Sequence, residues 1–243
     1  MRKKLVKNVL ANVNHSYAII ANHFAQTRVK NWPQVDEMVK KYVHDKMKVL
    51  EVGCGAGRLV NSLADISGEI SYVGLDNNLE FLKIAKKKFG HKLRGCKITW
   101  RQAELFKTGE KDNSVDVVLC IAALHHIPSA KLRKDALAEW QRILKPGGIL
   151  IMTNWWLLSK EAEKRYKLKR QKLPNRLFGY DKGDYLIPWK NSEGKIIAKR
   201  YYHAFTLQKI EGLLKQENLL KIENKLFTTG FSESILTIAK KKD

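Results

Sequence analysis

At 243 residues and 44% hydrophobic content the chain can bury the core of one α/β domain, and disorder is not the default. Cys54, Cys96 and Cys120 form no C-x-x-C pair, no apolar run approaches a membrane span, and the basic start MRKKLVKNVLANV lacks a secretory cleavage site; a reducing cytoplasm and no bound metal are expected. The formal charge of +22, with 35 lysines and 11 arginines against 24 acidic residues, points to a polyanionic partner, RNA first among them.

Residues 1–46 read as a helical N-terminal segment with aromatic and basic side chains, in which Pro33 opens a helix running through Val43. Residues 47–154 then alternate, with strands at 47–53, 70–75, 97–102, 115–120 and 148–154 and helices at 57–66, 79–89 and 131–144. Strands separated by helices build a parallel, doubly wound sheet with right-handed crossovers. Lys145, Pro146, Gly147 and Gly148 end a helix and turn the chain into the fifth strand. Residues 155–200 interrupt the pattern as an inserted basic cap, with a hairpin turn at 191–194. Residues 201–243 supply a helix at 206–217 and two closing strands at 220–228 and 232–240, joined by a turn at GFSE. That makes seven strands in one domain. The lysines are not spread evenly: they are dense at 83–94 and at 160–172, where seven basic residues face two acidic ones. Clustering of this kind favours a nucleic-acid surface over a bias of base composition.

The stretch VLEVGCGAGR carries the chemistry of the first half. Val49, Leu50 and Val52 suit a strand covered on both faces. Gly53, Gly55 and Gly57, with Cys54 as a small filler between them, then bring bare backbone against a ligand at the start of a helix. A pyrophosphate fingerprint would need glycine where Arg58 stands, and Glu51 would repel a phosphate while holding an ammonium. Asp76 ends the second strand, where a carboxylate accepts both hydroxyls of a ribose, with Asn77 beside it. S-adenosylmethionine, a zwitterion with a ribose and no phosphate, fits this set. At the third strand's end Glu104 can accept from an adenine amine and Ala103 leaves room for the ring; Ile121 and Ala122 follow at the fourth. His125 and His126 lie in the crevice beyond that strand, and either one could face the substrate or cap the turn before Pro128.

The whole chain resembles the class I S-adenosylmethionine-dependent methyltransferases, and among them the tRNA enzymes that esterify 5-carboxymethyluridine at the wobble position. The resemblance rests on Tyr17, Ala21, Phe24, Thr27, Arg28, Lys30, Trp32 and Pro33, on EVGCGAGR, on IAALHHI with Arg133 and KPGG, and on GDYLIPW and RYYHAF. The glycine motif and KPGG belong to the whole class; the TRxKxWP, DxxxPW and RYYH segments are much more discriminating. Residues 155–182 match only in position, and GFSESILTIAK carries no family signature. The resemblance implies a Rossmann-like sheet, an anticodon stem-loop as partner and, as in eukaryotic relatives, a small zinc-binding accessory subunit. Esterification needs cations that orient a carboxylate, and Arg28, Arg200 and His203 are chosen, with Lys30 in reserve. Trp32, Trp189, Tyr201 and Tyr202 could stack a splayed base, or pack under the cap. Two other readings stay open: a methyltransferase for a small-molecule carboxylate or hydroxyl, and a donor-binding RNA module without turnover.

Overall fold

The structure is a computed structural model that describes residues 1–173, 179–229 and 232–243. Apolar runs covered on both faces form the centre of the sheet. Val49, Leu50 and Val52 on β1 (Lys48–Val52) and Val117, Val118 and Leu119 further along are wholly buried. Five strands run parallel: β1, β2 (Ile70–Asp76), β4 (Cys96–Gln102), β5 (Val115–Ile121) and β6 (Leu144–Trp155). The two-residue β3 (Lys92–Leu93) adds an antiparallel edge to the expected seven strands. At the other side β10 (Ser232–Lys241) and β9 (Leu219–Thr229) close the sheet antiparallel, giving the order β3-β4-β2-β1-β5-β6-β10-β9. The turn expected between the last two strands falls on residues 230–231, outside the described residues.

Helices cover both faces. On one, α5 (Ala130–Ile143) and α8 (Leu207–Gln216) bury Leu137, Trp140, Ile210 and Leu214 against the sheet. On the other, α2 (Pro33–Tyr42), α3 (Val60–Ala64) and α4 (Leu79–Phe89) bury Val35, Val39, Leu63 and Phe89. Helix α3 is shorter than its expected span of 57–66, because Gly57 at φ +74° cannot be its first turn. The KPGG segment is not a separate turn. It lies inside β6 as a bulge: β5 advances from Val115 to Val117 while β6 advances from Leu144 to Ile149, with Gly147 at φ +73°.

Beyond β6 the cap holds α6 (Lys160–Tyr166), α7 (Leu168–Gln171) and an antiparallel ribbon of β7 (Asp184–Lys190) and β8 (Ile196–His203). The ribbon turns at 191–194, where Asn191 Oδ1 accepts from the amides of Glu193 and Lys195 and Gly194 takes φ +80°. Strand β8 runs three residues past the expected end of the cap at 200, so RYYH belongs to the ribbon. The 25-residue α1 (Lys3–Thr27) lies across ribbon and sheet. Ser16 Oγ donates to the Lys199 carbonyl at 2.8 Å, Asn14 Nδ2 to the Asn77 carbonyl at 2.9 Å, and Asn78 Nδ2 back to the Asn14 carbonyl at 2.8 Å. These bonds fasten α1 over the carboxyl ends of the strands, where open α/β sheets take their ligands.

Candidate active site

The three glycines of the turn do two different jobs. A Cβ on Gly53 would sit 2.5 Å from Ala123 Cβ and one on Gly57 2.5 Å from the Trp100 ring, so both permit close packing of protein on protein. Gly55, at φ +53°, has nothing within 4 Å of a would-be Cβ and faces open space, a cradle for a ligand. Gly57→Ala is therefore expected to lower stability by about 1–3 kcal/mol, from strain and overpacking. Gly55→Ala is expected to weaken donor binding with a smaller loss of stability. Melting curves and donor calorimetry on the two variants check this, and equal effects in both would refute it.

Around the turn, two buried acids face one cavity of about 970 Å³, mouth included. Glu51, 3% exposed, accepts from the Tyr72 hydroxyl at 2.6 Å, and burial pushes its carboxyl up to about 8. Asp76 accepts from the amides of Gly55 and Asn78, each at 2.9 Å, and burial raises it to about 6. Neither acid has a basic side chain within ion-pair distance among the described residues. Arg58, which also lines the cavity, lies over the Trp32 ring at 5.0 Å and is itself held below its usual range by burial. Two buried acids without a cationic partner among the described residues suit a ligand that brings an ammonium and hydroxyls, and they disfavour a polyphosphate. Cys54, Asn77, Glu104 and Ile121 line the same cavity, with Asn77 Nδ2 lying 3.3 Å from a Glu104 oxygen. Burial raises the Cys54 thiol, which marks it as filler and not a nucleophile. Ala103 does not line the cavity; its amide donates to the Asp76 carbonyl at 3.2 Å.

The roof is only half present in the motifs, which hold Tyr17 and Phe24 but not Leu10, Val13 or Phe81. Leu10, Val13, Tyr17 and Phe24 of α1 close the cavity from above, with Phe81 of α4 beside them. Their spacing was a signal, since positions three, four and seven apart share one helix face.

The histidine pair resolves by direction. His126 lines the cavity, whereas His125 lies under it, 1% exposed and stacked on Tyr202 at 5.0 Å. Burial holds His125 well below the usual imidazole range, so it stays neutral.

Arg28 and Arg200 converge on one indole. Their guanidinium carbons lie 5.4 and 4.7 Å from the Trp189 ring centroid. Arg28 is exposed at the end of α1 and lines the cavity; Arg200 is only 2% exposed and is ringed by Trp189, Tyr202, Tyr17 and Trp155. No carboxylate pairs with either among the described residues. Trp155, half-buried at the end of β6, stacks between Tyr202 and Tyr166, and sequence reasoning passed over it. Its signal was its place at a strand's carboxyl end.

The other acceptor candidates lie elsewhere. His203 is three residues from Arg200 on a strand, hence on the opposite face. There His203 Nδ1 and the Tyr201 hydroxyl each meet Asp184 Oδ1 at 2.7 Å, and His203 faces a separate hollow with Arg133 and Lys209. Asp181, Asp184 and His203 bring three metal-type ligand atoms within 4.8 Å of one another. Those atoms already hold internal partners: Asp181 pairs with Arg133 at 2.8 Å, and Asp184 takes the Tyr201 and His203 donors and the Asp181 amide. Tyr201 and Tyr202 are wholly buried, Tyr202 stacked on Trp155 and Tyr201 bonded to Asp184, and neither ring face is open to a base here. Trp32 packs edge-on against Phe227 at 5.8 Å under Arg58, and Trp189 is 8% exposed with its Nε1 donating to His23 Nδ1 at 2.9 Å. Lys30 stands exposed between α1 and α2.

Residues 50–152 match the family model described as "Methyltransferase domain". Among curated proteins, one from Encephalitozoon cuniculi named for methyltransferase activity is 29% identical over 84% of this chain and 83% of its own length. The tRNA (carboxymethyluridine(34)-5-O)-methyltransferase of Schizosaccharomyces pombe is 26% identical over 84% of this chain and 86% of itself. Its Arabidopsis thaliana counterpart is 29% identical over 59% of this chain, a match that spans only 32% of that longer protein. Among solved structures, a SAM-dependent methyltransferase of Methanosarcina mazei superposes with a TM-score of 0.69 at 22% identity, covering 88% of this chain and 99% of its own. The methyltransferase in complex with the Haloferax volcanii Trm112 activator does so with 0.66 at 16%, covering 95% and 98%. Glycine turn, paired buried acids and sheet order agree with the match of residues 50–152 to a methyltransferase domain, and with S-adenosylmethionine as its cofactor.

Proposed function

We propose that the chain transfers a methyl group to the carboxylate of 5-carboxymethyluridine at the wobble position of tRNA. The observation that carries this reading is the pair Arg28 and Arg200, two guanidiniums without an acidic partner among the described residues that share the Trp189 indole beside the donor cavity. Their planar forks suit a carboxylate. The bound donor supplies an electrophilic methyl on a sulfonium. Glu51, Asp76 and the Gly55 backbone are the residues that would hold it, beneath the apolar roof of α1. A carboxylate is already anionic at neutral pH, so the site needs orientation and charge more than a base.

RNA as the acceptor is supported by the exposed basic faces. Lys86, Lys87 and Lys88 crowd the last turn of α4, and α6 and α7 expose Lys160, Lys164, Arg165, Lys169 and Arg170. The relatives named for tRNA carboxymethyluridine point the same way. The Trm112 activator complex gives a precedent for a small accessory subunit, which is part of the proposal. No described helix is long and apolar enough to cross a membrane.

Incubation with labelled donor and bulk tRNA, followed by nucleoside analysis, tests the reading. The expected product is a base-labile methyl ester on a wobble uridine. Label in a small acceptor, or no turnover with or without an accessory subunit, would refute it. RNA affinity should also fall by about 10³-fold or more between 50 and 200 mM salt if six or more phosphates are contacted; a flat response would favour a small-molecule acceptor.

A further inference from the structure

Helix α1 reaches past the donor cavity through one side chain. The Tyr17 hydroxyl lies 2.6 Å from His126 Nε2 and 3.3 Å from Arg200 Nη1. Chemistry fixes the direction of both bonds. His126 Nδ1 is 2.8 Å from the Tyr201 carbonyl oxygen, which can only accept, so Nδ1 carries the ring proton. Burial pushes His126 down to about 3, so the ring is neutral and Nε2 keeps its lone pair. Tyr17 must donate to that lone pair. Its oxygen is thereby turned into an acceptor, and the groups placed to donate to it are Arg200 and the Tyr202 hydroxyl.

Arg200 has few other directional contacts. No acid pairs with it among the described residues, its Nε has no partner, Trp189 and Trp155 offer only ring faces or edges, and the Tyr202 hydroxyl attracts it without a hydrogen bond. Rings favour a cation nearby but fix its rotation weakly compared with a hydrogen bond. We propose that Tyr17 is a positioning residue that aims the Arg200 guanidinium, with His126, locked in one tautomer by the Tyr201 carbonyl, setting which way the Tyr17 proton points. This rests on Arg200 serving the acceptor, as argued above. His126 acts as a buttress in this arrangement: it faces the cavity, yet its lone pair is filled by Tyr17 and is closed to a substrate proton.

The test is Tyr17→Phe, which keeps the ring against Phe24 and Phe81, at 5.8 and 5.9 Å in the native protein. Donor affinity is expected to stay within about twofold and kcat on tRNA to fall by about 10–100-fold with KM little changed, the signature of misplacement. In an Arg200→Lys background the same change is expected to cost less than about twofold, because Tyr17 acts through Arg200. A full, multiplicative loss in both backgrounds overturns the proposal. A second measurement needs no substrate. In nitrogen-15 spectra of the whole protein, His126 should show the Nδ1–H tautomer, and the Arg200 Nε–H signal should be sharp in the native protein and broadened in Tyr17→Phe. An Arg200 signal unchanged by the substitution overturns the proposal. If the native protein fails to methylate tRNA, the acceptor reading falls, while the spectra still decide whether Tyr17 holds Arg200.

Discussion

Arg200→Ala is expected to lower methyl transfer by about 10²–10³-fold while leaving donor affinity within about twofold of native, by analogy with removing one preorganised charged donor from an active site. The size follows from where Arg200 sits. It is 2% exposed, so its charge is screened little by salt or water, and what it can do for an anion is worth far more than at a surface. Arg28, at the exposed end of α1, should lose less when replaced by Ala, about tenfold, and that loss should shrink further at high salt. A buried cation without an acid is itself costly, and four rings within 6 Å of its guanidinium offset part of that cost. Arg200→Ala is thus expected to fold, and native donor binding in the variant would show it. Arg200→Lys should recover charge without the planar fork and so only part of the rate. A native rate in Arg200→Ala would remove the carboxylate clamp altogether.

Donor affinity is expected to rise by about 50-fold between pH 6 and 8 and then level off, through Glu51. In the folded, donor-free protein this carboxyl titrates near 8, against 4.5 when unburied. Between those values the folded state holds a proton that the unfolded chain has released. Glu51 therefore favours folding most below pH 4.5, and that contribution is lost as pH climbs to 8. An ammonium beside Glu51 reverses the preference, so binding below pH 8 must expel the proton. Asp76, near 6, is already ionised over most of that range. Calorimetry in two buffers of different ionisation enthalpy reads the released proton directly. Glu51→Gln should flatten the pH dependence, and a native protein with flat affinity and no proton release would mean that Glu51 does not meet the ammonium.

The donor half of the site was legible because it is local. Apolar runs, the three glycines and Asp76 declare themselves within one strand-turn-helix and the strand after it. The proposed acceptor half is not local. Arg28 and Arg200 meet only because α1 is laid over the β7–β8 ribbon, and no periodicity in either segment predicts that. His125 and His126 are neighbours in one short 3-10 turn, Leu124–His126, and what separates them is which ring finds Tyr17. The sequence itself separates His203 from Arg200. Once RYYH is seen as a strand, alternation puts Arg200 and Tyr202 on one face and Tyr201 and His203 on the other. The KPGG bulge was missed for the opposite reason: proline and glycine announce a break, but only pairing with β5 shows that the strand resumes.

The ribbon's alternation also limits how the gene can drift. Surface loops ordinarily tolerate gain or loss of a residue at little cost. The turn at 191–194 sets the pairing of Ile187 with Arg200, and a slip of one residue there would carry every side chain of β8 to the other face. Tyr201 would arrive where the guanidinium stood, in a protein whose sheet and donor cavity were untouched. Single-residue insertions or deletions in this loop should therefore be purged among working descendants, while loops far from the ribbon vary in length.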